Sequence, residues 1–540
     1  MRTYAQIFRD LRQRIGASIG GIKPAKPIFG RSGYTGGRID RLSADWNLSQ
    51  RTSDAEIQQD IIELRNRCRD LGRNDAWVSR ALNSDENNIL TVGKGFSLQM
   101  RCAFPPNFEK LDKNACLKIE QAWAEWCKPK NCTITGEDSF YDICRQTRRA
   151  RRTDGGIMFR KIEDEKINKF GFALQPIEID YLDHCRTEVN GNRYIVMGVE
   201  KMLTGLNAGK TIAYWLMDRH PGDILMGGRY FGASKPIPAD QIIHYFVKER
   251  VTQSLGVPSI APVIERLRHL GEYEKAELVA SREASNKGGY FTSDRGGTYS
   301  GEVQETSSGD PTGSVLSDSS PGQNDDLPPG MSFVPYDPTH PTQQYGDFVK
   351  NALFGVSAGL ELPYMVLTGD LSNANYSSMR AGNIEAQEGF KKEQYHMIEH
   401  LCIPIFDAWL EAALLNRAID LPYSKIEQFN RPRFTGRRWP WVDPEKDIRA
   451  NLMAIDGGVY TRTMVTEEQG LDFEDICQQL EDEKDVAEDH DLEFVTPQSS
   501  KTTPPGSDNA DIPSEDVQSN KPTNGQIPKP NGRARYHFSS

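Results

Sequence analysis

At 540 residues, 37% of them hydrophobic and 26% charged, the chain is long enough for several domains with a sizeable core, and its composition is ordinary for a globular protein. It holds no run of eighteen apolar residues and opens Met1-Arg2-Thr3-Tyr4 without an apolar signal core, so neither a membrane span nor export is expected, and the expected place of synthesis and residence is the cytoplasm. The net charge of −11 is concentrated in Asp472–Glu493, where eleven acids face Lys484 alone; the near-neutral remainder excludes a generally basic nucleic-acid binder but not a protein that surrounds nucleic acid without gripping it.

Residues 1–39 read as a short amphipathic helix with Ile7, Phe8, Leu11 and Ile15, followed by an arm punctuated by Gly and Pro. Ile57, Ile61, Ile62, Leu64 and Cys68 recur at helical intervals within 54–90, as do Cys116, Ile119, Ala122, Trp123 and Trp126 within 112–127. From Gly155 to Phe246 the pattern turns to β: short apolar runs such as Ile157-Met158-Phe159 and Ile212-Ala213-Tyr214-Trp215-Leu216 alternate with turn residues such as Asn190-Gly191-Asn192. Helical spacing returns after Pro258 and runs to about Ser285, with Ser259 the expected N-cap and Pro262 tolerable in a first turn. Residues 286–345 are rich in Gly, Ser, Asp and Pro and read as a polar excursion between two long helices.

The second long helix is expected to begin near Pro341 and to carry Phe348 to Leu360. Then comes a polar segment, Leu367 to Arg380, rich in Asn and Ser; on composition alone it is a connector between antiparallel helices. A helical pattern follows from about Met379 to Ala418, and Pro404 within it should kink the helix because it lacks a backbone donor. Two more helices are expected over 444–456 and 465–482, and the Pro/Ser/Thr/Asn-rich stretch beyond Thr496 is expected to be disordered.

Chemistry-bearing motifs are few. Nine cysteines contain no C-x-x-C pair, and the gaps of ten, four and eleven residues between Cys116, Cys127, Cys132 and Cys144 fit no familiar zinc site, so reduced thiols and no metal are expected. Thr204-Gly205-Leu206-Asn207-Ala208-Gly209-Lys210-Thr211 ends like a phosphate-binding loop, but Thr204 replaces the first glycine, and a strand-like run follows where a helix is required. A hairpin turn is the favoured reading. Arg145, Arg148, Arg149, Arg151 and Arg152 could contact phosphate; a solvated face, or pairing with acids of a neighbouring chain, is favoured. Asp180, Asp183, His184 and Cys185 form a polar cluster read as structural, and no catalytic arrangement or cofactor is expected.

Several short motifs follow one another in order: Arg69-Asp70-Leu71-Gly72-Arg73-Asn74-Asp75-Ala76, Val92-Gly93-Lys94-Gly95, Trp126, Ser139-Phe140, Asp154-Gly155-Gly156 and Gly198-Val199-Glu200. Ala213-Tyr214, His220-Pro221-Gly222-Asp223, Gly256 through Ile264, Tyr273 through Ala280 and Asn375-Tyr376-Ser377-Ser378-Met379-Arg380 complete the set. Over about residues 40–480 the series resembles the lambda family of tailed-phage portal proteins, the head–tail connectors.

That resemblance implies an α+β portal fold assembled as a cyclic ring, usually of twelve copies. Its parts would be an N-terminal helix and arm (1–39), a mixed α/β wing (40–257), a first stem helix (258–287), a small clip (288–340) and a second stem helix (341–366). A tunnel loop (367–380), a Pro-kinked helix with wing return (381–440), a helical crown (441–495) and a tail (496–540) would follow. It further implies a non-enzymatic conduit for double-stranded DNA at one capsid vertex. The expected partners are other copies of the chain, the terminase large subunit, head–tail joining proteins and a major capsid or scaffolding protein, with no membrane. The expected DNA-facing residues are Asn373, Asn375, Tyr376, Ser377, Ser378 and Arg380, with Lys391 and Lys392 as a weaker second ring. The alternative is a nucleotide-dependent DNA-processing enzyme using Gly209-Lys210-Thr211.

Overall fold

The computed structural model describes residues 50–102, 112–223, 232–285, 289–293, 331–335, 345–372, 376–439, 444–469 and 473–490. The helix and arm of 1–39, most of the 288–340 excursion, Asn373, Asn375 and the tail beyond Thr496 lie outside them. The chain divides into two units, Met1–Gly470 and Leu471–Ser540.

The first unit opens with helices α1 (Ser53–Asn74) and α2 (Ala76–Ile89), where one helical stretch was expected. Asp75 makes the break. Its extended backbone donates to the Leu71 carbonyl at 2.9 Å while its carboxylate accepts from the Val78 N–H at 2.9 Å, so one residue ends α1 and caps α2. Strand β1 (Ser97–Met100), α3 (Lys113–Trp126) and α4 (Pro129–Cys132) follow. The next helix, α5 (Phe140–Thr153), starts on a capping box between Ser139 and Asp142.

The expected β-rich region forms two antiparallel sheets. One has the order β3-β2-β9, built from β2 (Gly156–Glu163), β3 (Phe172–Ile177) and β9 (Ile242–Phe246). The other is a meander of β4 (Glu188–Asn190), β5 (Arg193–Val196), β6 (Val199–Met202), β7 (Thr211–Leu216) and β8 (Lys235–Pro238). Met158, Leu182, Met197, Val199 and Leu216 belong to the core cluster that joins the two sheets. At Gly155, with φ +86°, a Cβ would stand 2.4 Å from the Gly256 carbonyl oxygen, so the Asp154-Gly155-Gly156 and Gly256-Val257-Pro258 motifs mark one backbone-on-backbone crossing.

Beyond Pro258 a 3-10 turn (Ala261–Val263) leads into α6 (Ile264–Ser285). Ser259 is not its N-cap: that turn is entered from Ile260, and the Ser259 hydroxyl instead accepts from Arg152 Nη1 at 3.2 Å. What is described of the excursion is an antiparallel pair, β10 (Gly289–Ser293) and β11 (Met331–Pro335). The partner helix α7 (Tyr345–Leu360) runs antiparallel to α6. A Cβ on Gly359 would meet Val263, one on Gly355 would meet Arg266, and Phe348 packs edge-on against Tyr273, with ring centroids 4.8 Å apart.

Next come α8 (Tyr364–Thr368), α9 (Tyr376–Met397), a π turn (Ile398–Cys402) and α10 (Ile403–Leu415). The π turn answers the expected kink. Pro404 cannot donate to His400, and just before it the Ile403 N–H reaches back to the Ile398 carbonyl, widening the ladder by one residue. The unit closes with α11 (Ile426–Phe429), β12 (Pro432–Thr435) paired to β1, α12 (Pro444–Asp456) and α13 (Arg462–Glu468). The helix expected over 465–482 is therefore two: α13 begins earlier, because the Thr461 hydroxyl accepts from the Met464 N–H at 3.1 Å, and α14 (Phe473–Asp489) lies in the second unit. That second helix carries the acidic run and leaves Leu480 and Val486 exposed.

The main core gathers around Trp123. Its ring stacks on Trp126 at 4.9 Å and meets Phe140, Phe406, Trp409 and Phe434 between 5.0 and 5.9 Å, fastening α3, α5, α10 and β12 together. Trp126 Nε1 donates to the Phe172 carbonyl at 3.0 Å, so the buried indole carries no unsatisfied donor. Burial of each such Phe contributes about 1.5–3 kcal/mol.

Candidate functional site

The segment expected to face DNA is shorter than the pattern suggested. Leu367 is fully buried at the end of α8, and Gly369, at φ +74°, is that helix's C-cap. Asp370 then accepts from the Ser372 N–H at 2.9 Å and from its hydroxyl at 2.6 Å, forming a tight turn. From Tyr376 the backbone is already helical, so Tyr376, Ser377, Ser378 and Arg380 start α9 rather than belonging to a loop. Arg380 Nη2 donates to Asp447 Oδ1 at 2.8 Å and thereby joins α9 to α12. Further along α9, Lys391 pairs with Glu388 at 2.6 Å and Lys392 is exposed.

The arginine run is not simply a solvated face: α5 turns Arg148, Arg151 and Arg152 inward. Phe140, Cys144, Arg148 and Arg152 share a stripe, and all four are buried. Asp85 of α2 grips both arginines: its carboxylate accepts from Arg148 Nε, from Arg148 Nη2 at 2.9 Å and from Arg152 Nη2 at 2.7 Å. Burial alone would raise the Asp85 carboxyl, but the two guanidiniums hold it far below the usual carboxylate range. Glu393 of α9 accepts from Arg148 Nη1 at 2.6 Å and is likewise held low against burial, by Arg148, Arg151 and Arg152.

Other donors of Arg151 and Arg152 reach backbone carbonyls. Arg152 Nη1 reaches the Leu360 carbonyl at the end of α7 at 3.2 Å, and Arg151 Nη1 reaches the Val257 carbonyl at 3.1 Å. Arg149 pairs with Glu86, and Arg145 lies 3.8 Å from Asp142. The run is thus a hub joining α2, the end of α7, the segment leading into α6, and α9. No local signal names Asp85 or Glu393, which lie 63 and 245 positions from Arg148. The four-residue spacing that carries Phe140 and Cys144 on into Arg148 and Arg152 was the available hint.

The polar cluster near Asp180 is knit together by ion pairs and hydrogen bonds within the chain. Arg69 Nη2 lies 2.5 Å and Arg65 Nη1 3.6 Å from its oxygens; Arg65 also contacts His184, and Ser234 donates to Asp183 at 2.7 Å. Glu178, Asp180 and His220 bring three potential ligand atoms within 4.8 Å of one another, but two arginines already neutralise Asp180 and disfavour a cation there. Cys185 is exposed; Cys116, Cys132 and Cys144 are buried and Cys127 half-buried. The 203–210 segment joins antiparallel β6 and β7, with the Gly209 N–H donating to the Met202 carbonyl at 2.8 Å. No helix follows Lys210, so its N–H groups cannot cradle a phosphate in the way a nucleotide loop requires.

A family model described as "Phage portal protein, lambda family" matches residues 40–394, which takes in the hub, the α6/α7 pair and most of α9. The chain belongs to the lambda family of phage portal proteins. It is similar to a probable portal protein of Halomonas phage phiHAP-1, 28% identical over 450 residues, which are 83% of this chain and 85% of that one. The portal protein of Escherichia phage N15 is 22% identical over 83% of this chain and 88% of its own length. Portal protein B of Escherichia phage lambda is 21% identical over 83% and 87%. Among solved structures, a chain from the neck of an empty GTA particle aligns over 76% of this chain and 94% of its own, at 11% identity and a TM-score of 0.40, a likeness too low to carry weight. The His220-Pro221-Gly222-Asp223 and Gly256 motifs of this portal protein thus sit at a turn after β7 and at the backbone crossing beneath the hub.

Proposed function

We propose that this portal protein forms a ring, of about twelve copies by analogy with its family, at one vertex of a capsid. The ring is the conduit for DNA packaging and ejection, and it docks the terminase large subunit and the head–tail joining proteins; a major capsid or scaffolding protein surrounds it. Its site of action is the virion, reached by assembly in the host cytoplasm. Residues 40–257 are the wing, α6 and α7 the stem helices with the clip between them, α9 the helix that borders the channel, and α12 to α14 the crown. The observation that carries this reading is the family match over 40–394, coupled to the order of parts: β-rich region, antiparallel helix pair, polar turn, long helix with a π turn.

DNA has to slide through such a channel, so strong phosphate binding would be a brake. A near-neutral wall with a few polar or cationic contacts suits that task, and Asn373, Asn375, Tyr376, Ser377, Ser378 and Arg380, then Lys391 and Lys392, are our candidates for those contacts. The chain hydrolyses no nucleotide itself; the separate motor does. Imaging of the purified assembly tests the reading. Rings with a central hole wide enough for duplex DNA are expected, and a strict monomer at micromolar concentration would defeat it. The nucleotide-dependent alternative requires a DNA-stimulated ATPase that Lys210→Ala abolishes; wild-type protein without such activity ends it.

A further inference from the structure

Helix α9 is seated in the core mainly at one end, while in its other stretch the half-buried Ala386 also packs against the core. From Met379 to Gly389 none of its residues is buried, whereas Phe390, Gln394 and Met397 are. Four residues make their contacts at that second stretch. Phe390 stacks on Trp439, Gln394 Nε2 donates to the Ile89 and Arg437 carbonyls at 2.9 Å each, His396 Nδ1 lies 3.1 Å from Tyr245 Oη, and Glu393 takes its hydrogen bond from Arg148. The far end is tied through Arg380 to α12, a helix that itself buries no residue. The geometry is that of a lever with its fulcrum at 390–397. The arm beyond it, Tyr376–Gly389, spans about 21 Å at 1.5 Å per residue, so a turn of about 10° at the fulcrum moves the tip by about 4 Å.

We propose that the Glu393–Arg148 ion pair is the positioning contact that sets the angle of this arm, and that the hub ties that angle to the junction of the stem helices. Of the fulcrum residues named, Glu393 is the one hydrogen-bonded to the arginine hub, and the hub reaches the end of α7 through Arg152 with Leu360 and the segment leading into α6 through Arg152 with Ser259 and Arg151 with Val257. Glu393 is also the hub's releasable member. Its side chain is 23% exposed, against 1% for Asp85 and Arg148, and Arg148 keeps its two bonds to Asp85 when Glu393 lets go. A shift of the stem junction would therefore reach the channel-bordering arm through Arg148, and a load on the arm would reach the stem by the same route. This second step rests on the portal reading of α9.

The test uses the full-length assembly, with Cys185→Ser and Cys477→Ser to remove the exposed thiols and with spin labels on Ile384→Cys of the arm and Leu117→Cys of α3. Labelled chains are diluted into unlabelled ones so that distances within one chain are read. Glu393→Gln should leave ring assembly intact and shift or broaden the 384–117 distance distribution by several ångströms, with Glu393→Asp intermediate. An unchanged distribution in both variants overturns the positioning role, even where the melting temperature falls, because a merely stabilising contact would lower stability without moving the arm. Should Glu393→Gln not assemble, Glu393→Asp decides alone. The coupling is read separately, in DNA retained per particle: the variant that moves the arm should change retention, and unchanged retention with a moved arm overturns the coupling. Wild-type assemblies that neither form rings nor retain DNA refute the portal reading and leave the distance result standing.

Discussion

Asp85→Ala is the sharpest perturbation of this fold. The residue is fully buried, and its two oxygens are the chief neutralising charge for Arg148 and a direct partner of Arg152. Removing it leaves two buried guanidiniums short of partners and opens a small void at the meeting point of α2 and α5. Breaking a buried ion pair from one side costs about 3–5 kcal/mol. With Glu393 still on Arg148, we expect a loss near the lower end, about 3 kcal/mol. The pair Arg149–Glu86 beside it, whose arginine is 45% exposed, provides the contrast, since Glu86→Ala should cost clearly less than Asp85→Ala. Urea unfolding of the full chain, at one fixed protomer concentration so that assembly contributes equally, measures both. A loss below about 1 kcal/mol for Asp85→Ala, or equal losses for the two variants, would refute the reasoning that the hub is a desolvated network.

Other expectations follow from the same geometry. Asp85 and Glu393 are both held below their ordinary range when folded, so their stabilisation is complete above the unfolded carboxylate values of about 4 and disappears as pH falls through the depressed folded ones. The wild-type urea midpoint should therefore drop below about pH 4 more steeply than that of Glu393→Gln; parallel curves would count against the assignment. Gly155→Ala puts a Cβ 2.4 Å from the Gly256 carbonyl oxygen at a positive φ, and should cost more than about 2 kcal/mol or abolish soluble protein. A near-neutral effect on the urea midpoint would show that the crossing can relax. Deleting Ser372–Ser378 should leave rings intact by microscopy yet impair DNA packaging or retention; loss of folding instead would mark the segment as a structural cap.

The parts of the molecule legible in the sequence are those governed by local periodicity. The α3 stripe Cys116, Ile119, Trp123 and Trp126, the short apolar runs of β2 and β7, and helix α12 over 444–456 all stand where the pattern placed them. Failures came where a single polar residue competes with periodicity. Asp75 split a helix by bonding its own backbone, and Thr461 started one early. Ser259 lost its expected capping role to a side chain 107 positions away. For the candidate site the limit was different in kind. A run of arginines reads as surface because lone arginines belong in water, and only the fold reveals that Asp85 and Glu393 arrive to neutralise them.

That relocation of charge bears on how the proposed channel would treat DNA. Had Arg148, Arg149, Arg151 and Arg152 lined a phosphate track, each copy in a ring would have offered several cations, and binding would weaken steeply with added salt, by nearly one power of salt concentration per phosphate contact. Instead Arg148 and Arg152 are spent on Asp85 and Glu393, Arg151 on a backbone carbonyl and Arg149 on Glu86. Arg380 and Lys391, among the proposed DNA-facing residues, already answer to Asp447 and Glu388. Positive charge at these positions therefore holds protein to protein, and on the proposed reading the α9 edge would offer DNA mostly polar contacts. A shallow salt dependence of DNA retention is the corresponding expectation, and a steep one, of several powers per chain, would place the DNA contact elsewhere on the molecule.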